Sequence, residues 1–278
     1  MQRSDWERTP TDVVVITGVG DMGHAAARRL GPGHLLVIAD YSAENLARRT
    51  EALRMDGNFV HPVQIDISDR DSVEELAATA ADLGSIRALF NTAGLSPIDA
   101  PARRIFAVNV LGTAYLLDAF QPHLGPGSAA VFIASMAGTM AELPADVLHA
   151  MATLPVDQLL DLPVFDDGLE ATAAYGISKR ANQVRVQAAS IAWGQRGARV
   201  NSISPGIIAT RDGRDELAGP SGPVMQQLLA ASAAKRLGTP DDIAAAVEFL
   251  LSPQASFITG TDVLVDGGCV AGVRYGAG

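Results

Sequence analysis

Residues 12–23, DVVVITGVGDMG, join a short apolar run to a glycine-rich turn. The run at 12–16 predicts a buried strand, and the helix-forming residues AAARRL follow the turn at 25–30. Gly18, Gly20 and Gly23 have G-x-G-x-x-G spacing between strand and helix, as dinucleotide binding requires. In such a turn the first glycine permits the tight bend, the second lets a pyrophosphate approach, and the third allows close helix packing. The stretch therefore predicts a strand–turn–helix unit that binds a nucleotide.

A carboxylate, Asp21, lies in the middle of this turn, where a phosphate has to bind. The backbone N–H groups of the turn and the N-terminus of the following helix can still hold a pyrophosphate. We therefore expect the Asp21 carboxylate to point away, toward solvent or into a local backbone hydrogen bond. No lysine follows Gly23, which argues against a Walker-type triphosphate loop. The predicted cofactor contacts in the turn are Gly18, Gly20, Asp21, Met22 and Gly23.

Short apolar runs alternate with helical patterns along the whole chain, and most runs are apolar at consecutive positions, as in strands covered by helices on both faces. The predicted fold is α/β: a single-domain, Rossmann-type, doubly wound parallel sheet of about seven strands with helices on both faces, spanning residues 1–278. The predicted strands are 12–16, 35–39, 60–65, 86–90, 129–134, 198–203 and 262–265. The helix-start and helix-stop signals between them are Gly31, Ser72 with Glu75, Gly84, Gly197, and Thr239 before Pro240.

Composition agrees with one globular domain, since 48% of the 278 residues are apolar and 19% are charged. The net charge of −10 argues against a nucleic-acid-binding protein, which carries a clustered basic surface. The single cysteine, Cys269, predicts a buried, inert thiol, because it cannot form an internal disulfide or a zinc cluster. The polar residues 1–10 lack the apolar core of a signal peptide, and no apolar run approaches ~20 residues. We therefore expect a soluble cytoplasmic protein without a membrane span.

The second predicted strand ends at Asp40, 22 residues after Gly18. This is where an acid hydrogen-bonds the adenosine ribose of NAD and repels the additional phosphate of NADP. Residues 41–47 contain no arginine or lysine that favours that phosphate. The alternative is that Asp40 only caps the next helix, since Ser42 and Glu44 follow. The pattern favours NAD over NADP.

A phenol and an ammonium, Tyr175 and Lys179, are spaced i and i+4, as neighbours on one face of a helix predicted at 171–195. Ser135 follows the strand at 129–134, at the end of the sheet where doubly wound folds bind ligands. The Tyr–Lys pair is predicted beside the buried stripe of its helix, near the helix start. That stripe is predicted at Ala173, Ile177, Ala181, Val184, Ala188 and Ile191.

Together with further motifs, these residues resemble the short-chain dehydrogenase/reductase family over nearly the whole chain. Each motif alone is weak, but eight occur in order at compatible spacings, which makes the resemblance specific. They are the turn at 17–23, Asp66-Ile67, Asn91-Thr92-Ala93-Gly94, Asn109-Val110-x-Gly112, Ser135-x-x-Gly138, Tyr175-x-x-x-Lys179, Asn201-x-x-Ser204-Pro205-Gly206 and Asp266-Gly267-Gly268.

The resemblance implies catalytic roles for four residues. Tyr175 would be the general acid/base. The pKa of a free tyrosine is near ~10, and Lys179 together with the positive nicotinamide ring would favour its phenolate form. Lys179 would also hold the nicotinamide ribose, Ser135 would donate to the substrate oxygen, and Asn109 would anchor a water in the proton relay. Asn109 as a plain helix residue, and Asp266-Gly267-Gly268 as a supporting turn, are the structural alternatives. The cofactor contacts implied beyond the turn and Asp40 are Asp66 and Ile67 at the adenine, Asn91, Thr92, Ala93 and Gly94 on the adenosine side, and Pro205, Gly206, Ile208 and Thr210 at the nicotinamide and pyrophosphate, together with Tyr175 and Lys179.

The sequence departs from the family in two places. Family members usually show T-G-x-x-x-G-x-G, whereas the turn at 17–23 is one residue shorter and has the general dinucleotide spacing. Ser135 and Tyr175 are 40 residues apart instead of about a dozen. The insertion at about 139–170 holds seven acidic residues and no lysine or arginine, with apolar positions for one or two amphipathic helices. It is either a surface insertion or a lid or pocket wall beside the catalytic residues.

The insertion also bears on assembly and substrate. Family tetramers often pair the helix before Ser135 and the tyrosine-bearing helix across subunits, and an insertion at this position alters or blocks that contact, so a homo-oligomer of two or four subunits is expected. The insertion and the ending LSPQAS at 251–256 resemble bacterial 3-alpha-hydroxysteroid dehydrogenase/carbonyl reductases. A substrate loop is expected at about 211–235, mobile until ligand binds. The glycine-rich tail, AGVRYGAG at 271–278, is expected to be loosely held unless it packs against a partner.

The sequence therefore predicts an NAD(H)-dependent oxidoreductase that interconverts a secondary alcohol and a ketone, possible substrates being a hydroxysteroid or another apolar carbonyl compound. One alternative is an NADPH-dependent carbonyl or oxoacyl reductase. Another is a dinucleotide-binding regulator without catalysis, against which the four catalytic-type residues argue. A methyltransferase explains a glycine turn but not Tyr175 and Lys179.

Overall fold

A computed structural model describes residues 10–276, so the prediction about the extreme N-terminus concerns residues that largely lie outside it. Seven parallel strands form one sheet in the order β3-β2-β1-β4-β5-β6-β7, which confirms the predicted doubly wound fold. The predicted strand ends differ from the observed ones by at most two residues. The strands are β1 (Asp12–Thr17), β2 (Leu35–Asp40), β3 (Phe59–Gln64), β4 (Ser85–Asn91), β5 (Ala129–Ile133), β6 (Arg199–Pro205) and β7 (Asp262–Val265).

The helices connect the strands as predicted. Thr239 caps its helix through a capping box with Asp242. The capping box predicted at Ser72 is wrong, because the helix begins earlier and Asp69 caps it by accepting the Asp71 N–H. The helices are α1 (Asp21–Leu30), α2 (Ala43–Met55), α3 (Arg70–Leu83), α4 (Ala102–Ile105), a π-helical segment (Phe106–Leu111), α5 (Gly112–Phe120), α6 (Met136–Met140), α7 (Ala145–Thr153), α8 (Val156–Leu159), α9 (Ala171–Gly194), α10 (Arg211–Ala218), α11 (Gly222–Ala231), α12 (Pro240–Leu251) and α13 (Cys269–Tyr275), with short 3₁₀ turns at Gln121–His123 and Pro253–Ala255.

Both faces of the sheet are buried, because successive residues of the central strands enter two different cores. Val13 and Val15 of β1 pack on the face covered by α3, α5 and α9. Val14 and Ile16 pack on the opposite face, against α1, α2 and α12. Consecutive apolar residues in a strand are the expected consequence of a sheet covered on both sides.

The buried stripe predicted for α9 is only partly right. Ala181 and Val184 are buried, but Ala173 and Ile191 are exposed. The helix packs on β6, on α6 and on α7, so its buried surface is broader than a single stripe and includes polar positions. The buried set is Ala174, Gly176, Ser178, Lys179, Ala181, Asn182, Gln183, Val184, Val186 and Trp193.

The insertion forms α7 and α8, the one or two amphipathic helices that its sequence predicts. Met151, Leu159 and Phe165 are buried in a third core against α4, the π-helical segment, α5 and α9. The Arg185 guanidinium of α9 donates to the carbonyl oxygens of Met151 and Leu154, at 3.2 and 2.9 Å, where α7 ends. The insertion is therefore a packed second layer on the outer side of α9.

The C-terminal tail departs from its prediction. Residues up to Tyr275 form α13, and the Arg274 guanidinium donates to the Thr139 carbonyl oxygen at 3.1 Å. Gly272 lies so close to Ala231 that a side chain would collide with its carbonyl group. The tail is therefore helical through Tyr275 and is held at Gly272 and Arg274, although Val273 and Tyr275 are exposed, and residues 277–278 lie outside the described part of the chain. Within residues 10–276, none of the helices combines the length and hydropathy that a bilayer crossing needs.

Candidate active site

The carboxyl ends of all seven strands meet at one edge of the sheet, and β1 and β4 are neighbours at the point where the strand order reverses. Doubly wound folds bind ligands in the crevice at this reversal. The glycine turn leaves β1 there, and the segment Asn91–Gly94 leaves β4 beside it. The Asn91 side chain, which is buried, accepts the Thr17 hydroxyl at 2.6 Å and the Ala93 N–H at 3.2 Å. These bonds hold the two strand ends together.

The three glycines of the turn have different surroundings. Gly18 has a φ of +80°, and a side chain there would collide with the Ala93 backbone. A side chain at Gly23 would collide with the Gly18 carbonyl and would lie 3.1 Å from the Thr92 side chain. Gly20 has no atom within 4 Å of its missing side chain, so space is open above the turn at the start of α1. The turn therefore fits a dinucleotide pyrophosphate in shape, with free room at its middle glycine and an N-terminal helix end beside it.

Asp40 faces the glycine turn and does not cap the following helix. Its carboxylate accepts the Val19 N–H at 2.9 Å, the Asn45 amide at 3.0 Å and the Ser42 N–H at 2.9 Å. The cap of α2 is Ser42, whose hydroxyl accepts the Asn45 N–H. The capping alternative for Asp40 is therefore wrong, and its carboxylate lies beside the glycine turn.

The Asp21 carboxylate makes two contacts that are distant in sequence. One oxygen accepts the Arg49 guanidinium at 2.7 Å, and the other accepts the Arg211 N–H at 3.0 Å, at the start of α10. Burial raises the pKa of Asp21, but the Arg211 N–H and the Arg49 guanidinium outweigh it, so the pKa lies below its ordinary value. The expected solvent or local contact is wrong. Partners from α2 and α10 approach the turn and take the carboxylate instead.

Ser135 lies two residues after the end of β5, and its hydroxyl caps α6 by accepting the Ala137 N–H at 3.2 Å. Tyr175 and Lys179 lie one turn apart on α9, with the Lys179 Nζ atom 5.6 Å from the centre of the Tyr175 ring. The same Nζ atom donates to the Ile133 carbonyl oxygen at the end of β5, at 3.2 Å. The structure therefore brings the predicted serine, tyrosine and lysine to one place, between β5 and α9.

Burial dominates the protonation of this pair. It raises the pKa of Tyr175 to about 12, with the Ser135 hydroxyl acting to lower it and the carboxylates of Glu216 and Asp99 acting to raise it. Burial alone lowers the pKa of Lys179 to about 8. Tyr175 is therefore a protonated phenol at neutral pH in the free protein. The expected preference for phenolate does not follow from Lys179 in this state.

Asn109 lies in the π-helical segment between α4 and α5, and only 1% of it is exposed. Its side-chain oxygen accepts the Leu95 N–H at 2.8 Å, and its amide donates to the Leu95 carbonyl at 3.0 Å and to the Ser178 hydroxyl at 3.1 Å. A side chain at Gly94 would lie 3.0 Å from Asn109 and 3.3 Å from the Lys179 Nζ atom. The segment after β4 therefore passes between Asn109 and Lys179, at a π-type irregularity of the kind often found at functional sites.

The other predicted cofactor residues surround the same crevice. Asp66, after β3, accepts the Ser68 hydroxyl at 2.6 Å and pairs with Arg104 at 2.9 Å. Ile67 is buried against Gly112. After β6, Pro205 leads into Gly206, Ile208 is buried, and the Thr210 hydroxyl caps α10 by accepting the Gly213 N–H. Asp266 accepts the N–H groups of Gly268 and Val270, which agrees with a supporting turn at the start of α13.

Several residues of the site carry no motif in the sequence. Gln183 is 1% exposed, and its amide donates to Ser204 at 2.8 Å and to Thr139 at 2.9 Å. The carboxylates of Asp99 and Glu216 act on Tyr175 from the segment after β4 and from α10. Arg49 holds Asp21. Of these, only Gln183 had a sequence signal, its i+8 spacing from Tyr175; the others reach the site by tertiary contact alone.

Comparison with known proteins gives the family. The profile described as short chain dehydrogenase matches residues 12–145, and that described as Enoyl-(Acyl carrier protein) reductase matches residues 165–270. Short-chain dehydrogenase/reductase bsc3 of Alternaria brassicicola is 40% identical over 261 residues, which cover 93% of this chain and 95% of that protein. 3beta-hydroxysteroid dehydrogenase 1 of Eggerthella lenta is 30% identical over 288 residues, covering 95% and 97% of the two chains.

A solved structure agrees with these relatives. Short-chain dehydrogenase/reductase SDR:Glucose/ribitol dehydrogenase from Brucella melitensis matches with a TM-score of 0.74 and 29% identity, covering 94% of this chain and 97% of that one. The part of the chain between the two profile matches falls inside the insertion. The doubly wound sheet, the order of the site motifs and these relatives agree with one another. The chain therefore belongs to the short-chain dehydrogenase/reductase family, and it is an oxidoreductase acting on CH–OH groups with NAD or NADP.

Proposed function

We propose that the protein interconverts a secondary alcohol and a ketone by hydride transfer, using NAD(H), with Tyr175 as the general acid/base. The observation that carries this proposal is the convergence of Ser135, Tyr175 and Lys179 beside the glycine turn, with Asn109 behind them. A Rossmann turn alone explains dinucleotide binding. Nothing in binding requires a buried lysine next to a half-buried tyrosine at the end of β5.

The bound dinucleotide supplies the hydride acceptor in oxidation and the hydride donor in reduction. Tyr175, protonated in the free protein, donates its phenolic proton to the ketone oxygen in reduction. In oxidation it must accept the hydroxyl proton, so its pKa would have to fall from about 12, and the positively charged nicotinamide ring of the oxidised cofactor would act in that direction. Ser135 donates a hydrogen bond to the same oxygen and stabilises the charge that develops there. Asn109 holds the segment after β4 through the Leu95 N–H and carbonyl groups, and in this proposal it anchors a water in the proton relay.

NAD is the preferred cofactor of the proposal because Asp40 lies at the glycine turn, where its charge opposes an added phosphate on the adenosine ribose. The other predicted contacts at the adenine, ribose and pyrophosphate belong to the same proposal. The rival is an NADPH-dependent carbonyl or oxoacyl reductase, whose reductive direction suits a protonated Tyr175. The proposed dehydrogenase and this rival share the same chemistry, which is the transfer of a proton and a hydride at one carbon–oxygen bond.

The surroundings of Ser135 support an apolar, uncharged substrate. Met136 and Met140 follow the serine and pack against Leu217 and Met225 of the substrate loop at 211–235, which forms α10 and α11. The carboxylates of Asp99 and Glu216, which raise the pKa of Tyr175, disfavour an anionic substrate. A hydroxysteroid fits this chemistry, and the Eggerthella lenta relative is named for one. A dehydrogenase screen of steroid, aliphatic and cyclic alcohols with NAD would test the substrate class, and a strong preference for polyols would contradict it.

The proposed partners are a small-molecule substrate and further copies of this chain, with no nucleic acid and no membrane. α7 and α8 cover the face of α5 and α9 that carries Ala114 and Val184, and Phe257 is fully exposed elsewhere on the surface. A dimer therefore suits the structure better than a tetramer built on that helix pair, and sedimentation velocity distinguishes the two. A cytoplasmic location is part of the proposal, to be tested by cell fractionation.

Replacing Tyr175 with phenylalanine tests the catalytic role. We expect alcohol oxidation to fall by about 10²–10⁴-fold, because the acid/base group is lost, while NADH affinity stays within a few-fold. Tyr115→Phe is the matched control, since it removes a phenol hydroxyl from a half-buried tyrosine on α5 beneath Arg70. Near-normal turnover of Tyr175→Phe would rule out Tyr175 as the acid/base. If the wild-type protein binds the dinucleotide but turns over none of the substrates in the screen, the result favours the non-catalytic regulator.

A further inference from the structure

The Asp21–Arg49 pair lies at the pyrophosphate turn without belonging to any motif of the site. Asp21 is the first residue of α1, directly after Gly20, at the helix end that points toward the proposed phosphates. A carboxylate at this position opposes the binding of a dianionic pyrophosphate, because like charges a few ångströms apart repel strongly in a partly buried site. Asp21 therefore requires compensation if the turn is to bind a dinucleotide.

The geometry supplies that compensation from α2. The Arg49 guanidinium pairs with Asp21 at 2.7 Å, and the two side chains are 13% and 35% exposed, so solvent screens the pair only in part. Among residues 10–276, the Nε atom of Arg49 is buried and has no hydrogen-bond partner. Within the same residues, the ion pair that Arg49 makes is the one with Asp21. Burial and the Arg49 charge both lower the pKa of the neighbouring His24.

The second Asp21 oxygen is held in a different direction. It accepts the Arg211 N–H at 3.0 Å, the first backbone donor of α10, directly after Thr210. Arg49 and Arg211 thus each hold one oxygen of the carboxylate, from α2 and from the start of α10. The contact with α10 also ties the turn to the first residue of the substrate loop.

We infer that Arg49 is a positioning residue of the dinucleotide site: it neutralises Asp21 and holds its carboxylate off the glycine turn, so that the turn accepts a pyrophosphate. This inference rests on the proposed function, since it concerns the same cofactor. It assigns Arg49 no direct contact with the cofactor. Its role acts entirely through Asp21.

A double-mutant cycle tests this dependence on Asp21, with NADH affinity of the full chain measured by fluorescence titration. Arg49→Leu is expected to weaken NADH binding on the order of tenfold or more, because it leaves the Asp21 charge uncompensated beside the phosphates. Asp21→Asn is expected to bind NADH at least as tightly as the wild type. The double variant Asp21→Asn with Arg49→Leu is expected to recover affinity to within about twofold of Asp21→Asn, which is the signature of coupled residues.

Controls separate charge compensation from folding. Arg28→Leu removes the same charge from α1, where Arg28 pairs with Asp56 away from the turn, and is expected to leave NADH affinity unchanged. Arg49→Lys keeps the charge and is expected to retain most of the affinity. Arg49→Leu could weaken NADH binding by destabilising the fold, which a lower melting temperature of the cofactor-free protein would reveal. In that case NADH affinity is measured with Arg49→Gln, which also removes the charge but keeps a polar side chain.

Two outcomes overturn the inference alone. Unchanged NADH affinity in Arg49→Leu shows that Asp21 needs no compensation, and a double variant as weak as Arg49→Leu shows that Arg49 contacts the cofactor directly. A wild-type protein that binds neither NADH nor NADPH overturns the proposed function, and the inference with it. Recovery of affinity in the double variant supports both.

Discussion

At the level of one residue, Lys179 shows how a proposed catalytic position opposes folding stability. It is 5% exposed, its Nζ atom donates to the Ile133 carbonyl, and no carboxylate pairs with it in the part of the chain that the structure describes. Burial without a counter-charge destabilises the ammonium, which is why its pKa falls to about 8. A residue kept charged in such a place at neutral pH serves chemistry at the expense of folding stability.

Lys179→Met is therefore expected to stabilise the cofactor-free protein. Between about pH 8 and the ordinary value of 10.5, the unfolded chain holds the Lys179 proton while the folded chain has lost it, so the wild type gains stability as pH rises through this window. At pH 7 the variant should gain on the order of 2 kcal/mol in the free energy of unfolding, and the gain should shrink toward pH 9.5. Urea unfolding at several pH values measures it.

Lys235→Met is the control for this comparison. It removes the same charge from an exposed position, and surface changes of this kind alter stability by about 0.5 kcal/mol or less. The measurement stays below pH 10, because burial raises the pKa of Tyr175 and that group destabilises the folded state between its ordinary value and about 12. A stability difference that does not change with pH would show that Lys179 is not charged and desolvated as described.

At the level of elements, two sides of α9 make different contacts. Tyr175, Lys179 and Gln183 follow one another at i, i+4 and i+8 and face the end of β5 and the polar residues of β6. Ala174 and Ala181 face the insertion instead. Helices α7 and α8 of the insertion therefore support α9 from the side away from Tyr175, and their described contacts give no support to a lid over that residue.

Arg185 is the polar anchor of this support. Arg185→Met is expected to loosen α7, because the two carbonyl oxygens at the end of that helix lose their donor, at a cost of about 1–3 kcal/mol for unsatisfied buried groups. Limited proteolysis should then cut more rapidly within residues 139–170, while NADH affinity stays unchanged.

Arg196→Met serves as the matched variant, since Arg196 also donates to two carbonyl oxygens, those of Pro122 and Leu124, but away from the insertion. It should leave cleavage within residues 139–170 at the wild-type rate. Equal cleavage of Arg185→Met and wild type would show that the apolar core around Met151 holds the insertion without Arg185. Lost NADH affinity in Arg185→Met would point to coupling between the insertion and the crevice.

For the molecule as a whole, the cofactor is expected to stabilise the folded state by connecting several elements. The proposed site takes residues from the ends of β1 to β6 and from α9 and α10, so a bound dinucleotide would connect elements that the free chain holds through separate contacts. A ligand that binds only the folded state stabilises it by about 2.7 kcal/mol at a concentration a hundred times its dissociation constant. NADH should therefore raise the melting temperature by several degrees.

The size of that shift also tests cofactor choice. At equal concentration NADPH is expected to raise the melting temperature less than NADH, because the Asp40 charge opposes the added phosphate. Asp40→Ala should reduce the difference between the two cofactors. A larger shift with NADPH than with NADH in the wild type would overturn the preference for NAD.

Much of the fold was predictable from the sequence alone, and for a local reason. Buried strands and amphipathic helices leave periodic patterns in a few consecutive residues, so the seven strands and most helix limits follow from composition and spacing. Ser135, Tyr175 and Lys179 were predictable because strand ends and helix turns place short motifs on known sides of a sheet. The capping box at Ser72 failed because Asp69, equally able to cap, lies nearer the true start of α3.

Only the tertiary structure decided how the charged and insertion residues are used. Asp21 meets Arg49 and Arg211 across 28 and 190 residues of sequence, and no periodicity reports contacts of that range. The breadth of the buried surface of α9 depends on three neighbouring elements that pack around it at once. The sequence by itself determined the sheet, its order of motifs and the family. The fold decided which charges meet at the glycine turn and on which side of α9 the insertion packs, because both depend on elements brought together only when the sheet closes its two cores.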